Sequence, residues 1–123
     1  MTMTTTGIAR NTVMVFLKHL NAEDFEAARR CTDDHLRFEG VLGSSREGYE
    51  AYFRDMEKLK IKFHVLKTFA DGDDVCVLCN VTFSGVTMYS CGWYKVEYNK
   101  ICSIKVVYDP RPLLVHMIKK DGS

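Results

Sequence analysis

Residues 75–83 form a run of Val, Cys, Leu and Phe with no competing helical period, and such a run predicts a strand on a pleated, buried surface. Ser84-Gly85 follows as a two-residue hairpin signal, since glycine supplies the positive φ that tight strand connections need. That loop length fixes a register. It sets Val81 opposite Met88, Cys79 opposite Ser90, Val77 opposite Gly92 and Val75 opposite Tyr94, all on one face. The other face carries Cys76, Leu78, Asn80, Tyr89, Cys91, Trp93, Lys95 and Glu97. A three-residue turn over Tyr98, Asn99 and Lys100 then brings back a third strand, with Lys105 beside Trp93 and Ile104 beside Tyr94. Both faces of this sheet are apolar. One is to be covered by the chain's own helices and the other by something else.

Upstream, the apolar residues Val13, Phe16, Leu17 and Leu20 recur at helical spacing and predict a helix over residues 8–20. A second helix fits residues 22–31, with Phe25 and Ala28 inward, and a short strand fits residues 36–39. Ser45 reads as the N-cap of a third helix, whose stripe is Tyr49, Tyr52, Phe53 and Met56 and which ends by residue 59 or 60. Residues 61–69 predict a long strand that turns at Asp71-Gly72-Asp73. Its register is open by one residue, and hydrophobicity favours Phe63, Val65 and Phe69 on the helix-covered face over His64 and Leu66. Pro110 and Pro112 stop the last strand. The organisation read from this is a disordered lead over residues 1–7, one domain over 8–114 and a tail over 115–123.

A chain of 123 residues holds one core without disulfides or metals, and a net charge of +1 supplies no basic field for nucleic acid. Five cysteines, four of them inside strands, read as reduced thiols of a cytoplasmic protein. Cys76 and Cys79 have CxxC spacing, but on a strand that offset sends them to opposite faces, so no metal or other cofactor is expected. No long apolar run predicts a membrane span.

Parity and helix stripe send Phe16, Tyr52, Ser90, Tyr94 and Tyr108 to one side, where they are expected to border an internal pocket for a small, mostly apolar molecule. Glu39 is the one carboxylate read as reaching that pocket, as a general base if burial raises its pKa. Cys79 and Cys102 are placed on the same concave side, as inert thiols. His64 is the group that titrates nearest neutrality, read as a satisfied side chain, and Tyr49 shares the ambiguity of Tyr52. On the opposite face Cys76, Leu78, Tyr89, Cys91, Trp93 and Lys105, extended by Ile101 and Val107, are expected to join two copies of the chain as a homodimer. The blander reading folds residues 113–118 back over that patch.

The order helix, helix, short strand, helix, four long strands resembles the nuclear transport factor 2-like superfamily, with its SnoaL-like polyketide cyclases and ketosteroid isomerase. Two stretches carry the resemblance. Phe16-Leu17-Lys18-His19-Leu20-Asn21-Ala22-Glu23-Asp24-Phe25 is similar to the family's first-helix signature, and Val106-Val107-Tyr108-Asp109-Pro110-Arg111-Pro112-Leu113 to its usual ending. The resemblance implies an α+β fold, a cone-shaped barrel of a curved, mostly antiparallel sheet covered by three N-terminal helices. It does not carry the isomerase's chemistry across. The oxyanion-binding tyrosine of helix one aligns with Phe16, the general-base aspartate with Gly40 next to Glu39, and the protonated aspartate with Gly92. The Asp-Arg-Asp set of the related epoxide hydrolases is likewise not found. Three functions remain open: a ligand-binding SnoaL-like domain, as binder or as enzyme of unassigned chemistry; a non-catalytic dimeric interaction domain like nuclear transport factor 2; and a domain whose pocket is closed by large side chains and whose role is structural or oligomerising.

Overall fold

In the structure, a computed structural model that describes residues 4–40 and 45–120, helices α1 (Thr5–Asn21) and α2 (Phe25–Arg29) precede strands β1 (Thr32–Glu39) and β2 (Ser45–Glu47). Helix α3 (Tyr49–Leu59) leads into a meander of β3 (Lys62–Asp71), β4 (Asp74–Phe83), β5 (Val86–Glu97) and β6 (Lys100–Tyr108), and α4 (Arg111–Lys120) follows. The six strands make one curved, open sheet in the order β2-β1-β6-β5-β4-β3. Every neighbouring pair is antiparallel except β1 with β6. The architecture is the α+β cone that the element order predicts.

The β4–β5 hairpin has the register that parity predicts, with Val81 opposite Met88 and Val75 opposite Tyr94. Ser84 and Gly85 take φ of 51° and 76°, the left-handed pair of a two-residue turn whose twist matches its strands. The inward residues Val75, Val77, Cys79, Val81, Met88 and Tyr94 pack with Val13, Phe16, Leu17 and Leu20 of α1 as one buried core. Each fully buried side chain of that size stabilises the fold by about 1.5–3 kcal/mol.

Helix α1 is tied to β3 at one end and to the β3–β4 turn at the other. Asn21 Nδ2 donates to the Phe63 carbonyl at 2.8 Å, and the Phe63 N–H donates to Asn21 Oδ1 at 2.7 Å. At the other end the Gly72 N–H donates to Thr6 Oγ1 at 2.9 Å. These bonds fix how far the helix stands above the sheet.

Several boundaries differ from the sequence expectation, each for a local reason. Helix α1 begins at Thr5 because the Thr4 hydroxyl caps it, accepting from the Gly7 N–H at 3.0 Å, so only residues 1–3 of the expected disordered lead remain, and they lie outside the described residues. Helix α2 is confined to Phe25–Arg29 by the Asp24 cap and by Glu23 at φ 58°. Strand β1 starts at Thr32, four residues early, since the parallel partner β6 is there to pair it. Ser45 is not a helix cap: it opens β2, and Gly48 at φ 84° precedes α3. The expected tail over residues 115–123 falls largely within α4, with residues 121–123 outside the described residues.

Two bulges change which side chains face inward. In β3 the register shifts between Val65 and Lys67, so Phe63 and Val65 lie on the concave side with Val81 and Cys79, but Phe69 lies on the convex side opposite Cys76. In β6 the loop is Tyr98-Asn99 alone, both residues at positive φ, and the third residue expected in the turn reappears as a shift between Lys95 and Val96. Ile104 still faces Tyr94, as expected, but Ile101 is opposite Val96 and fully buried rather than part of the convex patch. Among the described residues no helix is long and apolar enough to cross a membrane.

Candidate functional site

Helix α3 and the concave face of β4, β5 and β6 do not close on one another, and a cavity of about 230 Å³ lies between them. Its walls are Met56 and Leu59 from α3, Ile61 just before β3 and Phe63 within it, Cys79 and Val81 from β4, and Ile104 and Val106 from β6. The floor is set by small residues. Ser90 is paired with Cys79 across β4–β5, and Gly92 follows two positions on. A methyl placed on Gly92 would meet Tyr94 Cε1 at 2.7 Å and its hydroxyl at 3.0 Å, so the glycine is what lets the Tyr94 ring lie down over the strand.

Of the five residues expected around one pocket, Tyr52, Ser90, Tyr94 and Tyr108 line this cavity and Phe16 does not. Phe16 is fully buried behind them, its ring 6.4 Å from that of Tyr52 and 6.3 Å from that of Tyr94. It therefore backs both tyrosines as a shared support. Aromatic pairs in such geometry add about 0.5–1.5 kcal/mol beyond area burial.

The polar groups are few. Ser90 Oγ donates to the Val107 carbonyl at 3.2 Å, which commits its proton. Tyr52 and Tyr94 are 4% and 3% exposed, and no fully enclosed side-chain nitrogen or oxygen among the described residues is without a partner. Burial pushes both phenols above their ordinary range and keeps them neutral. Cys79 is pushed up to about 11, chiefly by desolvation with a contribution from nearby Cys91, so it remains a thiol. At the mouth Arg46 Nε donates to Asp55 Oδ2 at 3.0 Å, and both residues line the opening. Among the described residues no cluster of three His, Cys, Asp or Glu side chains forms a metal cage.

Glu39 is not brought to the cavity. The parity that turns Phe38 inward opposite Ile104 turns Glu39 outward opposite Lys105, where it is exposed. Cys102, expected on the concave side, sits at the β6 irregularity with its thiol donating to the Lys95 carbonyl at 3.5 Å. His64 is exposed opposite Asn80 while Phe63 takes the cavity wall. Tyr49 stands outside, with the Arg29 guanidinium 3.6 Å over its ring. The sequence reading missed Met56, Asp55 and Leu59, although all three follow from Tyr52 at helical spacings of four, three and seven. Arg46 had no signal, because the strand that carries it was not expected.

On the convex face Cys76, Leu78 and Cys91 are half-buried, while Tyr89 is 51% and Trp93 45% exposed. Trp93 Nε1 donates to Asp74 Oδ1 at 2.9 Å, and Lys105 Nζ lies 5.2 Å from the indole. Phe69 and Val107 widen the patch. Helix α4 packs against β5, and its Leu113 reaches the core, but Tyr89, Trp93 and Val107 remain open.

A family model described as a SnoaL-like domain matches residues 13–104. An NTF2-like protein of unknown function from Cytophaga hutchinsonii is 40% identical, covers 86% of this chain and 94% of its own, and has a TM-score of 0.82. An LEH-like epoxide hydrolase from M. tuberculosis is 20% identical with a TM-score of 0.81, over 93% of this chain and 92% of that one. A candidate SnoaL-like polyketide cyclase from Shewanella denitrificans is 12% identical with a TM-score of 0.80, over 91% and 98%. The last two share the fold alone. No curated protein matches the chain.

Proposed function

The chain belongs to the SnoaL-like domain family of the nuclear transport factor 2-like superfamily, and from that premise we propose that it binds a small, mostly apolar molecule in the cavity between α3 and the sheet. The observation that carries this reading is the cavity itself. Its walls are aliphatic and aromatic side chains, and the two charged lining residues, Arg46 and Asp55, are paired with each other at the mouth. An apolar space of this kind gains nothing from holding water, whereas an apolar ligand exchanges hydrated surface for close packing. The resident groups are a neutral thiol, neutral phenols and an ion pair, a set that favours binding over general-base chemistry.

The test is a titration with N-phenyl-1-naphthylamine, an uncharged dye that brightens in apolar surroundings. Wild type is expected to saturate with one dye per chain. Val106→Trp, which fills the wall, is expected to lose the signal while keeping its unfolding midpoint. Equal brightening in the two proteins sinks the reading.

Two copies are proposed to associate through the convex face, anchored by Trp93, in the cytoplasm where the free thiols stay reduced. A specific contact buries about 800 Å² per partner, and aromatic anchors dominate its energy. Sedimentation equilibrium decides it: the wild type is expected as a dimer at micromolar concentration and Trp93→Glu as a monomer. A monomeric wild type, or a glutamate variant as tightly paired as its parent, removes the proposal.

A further inference from the structure

The CxxC spacing of Cys76 and Cys79 fails as a chelate because the strand turns their thiols to opposite faces, but the β4–β5 hairpin gives Cys76 another partner. Cys76 lies opposite Trp93 and Cys91 opposite Leu78, so Cys76 and Cys91 are diagonal neighbours on the convex face. Both are free thiols and both are half-buried. Diagonal residues of an antiparallel pair stand about 7–8 Å apart at Cα and somewhat less at Cβ. That span decides what can join them. A disulfide needs Cβ atoms about 3.5–4.5 Å apart and does not fit the diagonal. Two metal–thiolate bonds of about 2.3 Å laid in line separate their sulfurs by about 4.6 Å, which thiols leaning toward each other supply. The neighbouring indole is drawn aside, since Trp93 Nε1 donates to Asp74 Oδ1 at 2.9 Å, at the Lys95 end of the hairpin and away from Cys91.

We propose that Cys76 and Cys91 hold one soft monovalent metal ion, Cu(I), as a two-coordinate dithiolate on the convex face. Thiolate sulfur selects soft ions, and among the described residues no third His, Cys, Asp or Glu completes a metal-binding group. Zinc is then left short of the four ligands its structural sites use, whereas Cu(I) is satisfied by two sulfurs in line. Loading exchanges two thiol protons for one ion, with no change of oxidation state, and leaves one negative charge on the site. Two lysines are placed to balance it. Lys105 is diagonal to Cys91, its Nζ 5.2 Å from the Trp93 ring, and Lys67 is diagonal to Cys76, its Nζ 5.9 Å from the Phe69 ring. Burial, and after it the nearness of Cys91, push the Cys76 thiol up. A cation bound between the two sulfurs cancels the repulsion that the second of these represents. The site lies on the face through which two copies are proposed to associate, so the ion and the second copy compete for it.

The experiment is an anaerobic titration with Cu(I) against bicinchoninate, a chelator whose copper complex is coloured. Wild type and Cys31→Ser/Cys79→Ser/Cys102→Ser are expected to withdraw one Cu(I) per chain, and the emission of Trp93, the one tryptophan, to fall in step. Cys76→Ser and Cys91→Ser are each expected to withdraw none. Trp93→Glu, the variant expected as a monomer, is titrated beside them, and loading there without loading in wild type supports a site that the second copy covers. Absence of loading in both proteins, full loading in either single serine variant, or its loss in the triple variant overturns the inference. Should a serine variant not fold, the copper K-edge of the loaded protein decides alone: its shape separates two-coordinate from three- and four-coordinate Cu(I), and either of the latter refutes the site.

Discussion

Replacing Gly92 by alanine tests whether the Tyr94 ring is where the cavity needs it. The added methyl would lie 2.7 Å from Tyr94 Cε1 and 3.1 Å from Cζ, against ordinary carbon contacts of about 3.5–4.0 Å. Tyr94 is 3% exposed, with Phe16 behind it, so its ring has little freedom to retreat. Overpacking of this kind costs about 1–3 kcal/mol. Against it stands the lower backbone entropy of alanine, worth about 0.5–1 kcal/mol in a strand. The clash wins, and a net loss of about 0.5–2 kcal/mol is expected, a fall of roughly 2–8 °C in the unfolding midpoint. In a Tyr94→Val background the same Gly92→Ala change has nothing to hit and is expected to stabilise by up to about 1 kcal/mol. The coupling between the two sites should therefore reach about 1–3 kcal/mol. Urea unfolding of all four proteins at one protomer concentration gives the cycle, the concentration being fixed because association would shift every midpoint. A wild-type background in which Gly92→Ala is neutral or stabilising, or an identical effect in both backgrounds, refutes the placement of the ring.

Asn21→Ala should destabilise by about 1–2 kcal/mol, because both hydrogen bonds to the Phe63 backbone are lost, and Asn21→Asp by roughly half as much, since it keeps the acceptor; equal midpoints for wild type and alanine would show the clamp idle. Tyr98 is 96% exposed at φ 52°, so Tyr98→Asn should raise stability by about 0.5–1 kcal/mol through easier access to the left-handed region, and a loss in the same urea assay counts against the turn geometry. Burial raises Cys79 from 9.0 to about 11, so the native state holds that proton more tightly than the unfolded chain does. Its contribution is complete below pH 9 and is lost as pH climbs toward 11, so stability between those values should fall more steeply in wild type than in Cys79→Ala, and parallel curves contradict the shift.

Strand parity was legible wherever a turn of known length pinned it, and it failed where an extra residue entered without a mark in the sequence. Residues 84 and 85 set the β4–β5 register because Gly at the second position leaves one economical turn. Tyr98-Asn99-Lys100 has two solutions, a three-residue turn or a two-residue turn followed by a shift, and both deliver Ile104 to Tyr94. Only residues between turn and shift tell them apart, and there Ile101 moves from the predicted surface to the core. Burial explains the choice: a fully exposed isoleucine forgoes about 1.5–3 kcal/mol that the bulge recovers. In β3 the same device exposes Phe69 at 54% in order to keep Phe63 and Ala70 inward. The helix ends failed differently. Thr4 and Asp24 cap with side-chain oxygens and Gly48 with a positive-φ backbone, each in competition with neighbouring candidates, and the winner depends on where the helix must land on the sheet.

The candidate site has a sequence signature that alternation alone does not express. Inward positions of β4 and β5 run large, large, small, large and large, small, small, large: Val75, Val77, Cys79, Val81 against Met88, Ser90, Gly92, Tyr94. In a sheet that only had to close a core, small residues directly opposite one another would leave a void, and each missing methyl would cost about 1 kcal/mol. Here Cys79 pairs with Ser90, and Gly92 lies next to them. The helices do not sink to fill the deficit because α1 is fastened to β3 at Asn21 and to the β3–β4 turn at Thr6, and Phe16 props Tyr52 and Tyr94 from behind. The space persists because size deficit and fastening occur together. Paired small residues in mid-strand show where a cavity lies, while the fastening that keeps it open is made by long-range bonds from Asn21 to Phe63 and from Gly72 to Thr6, which only the folded chain brings together.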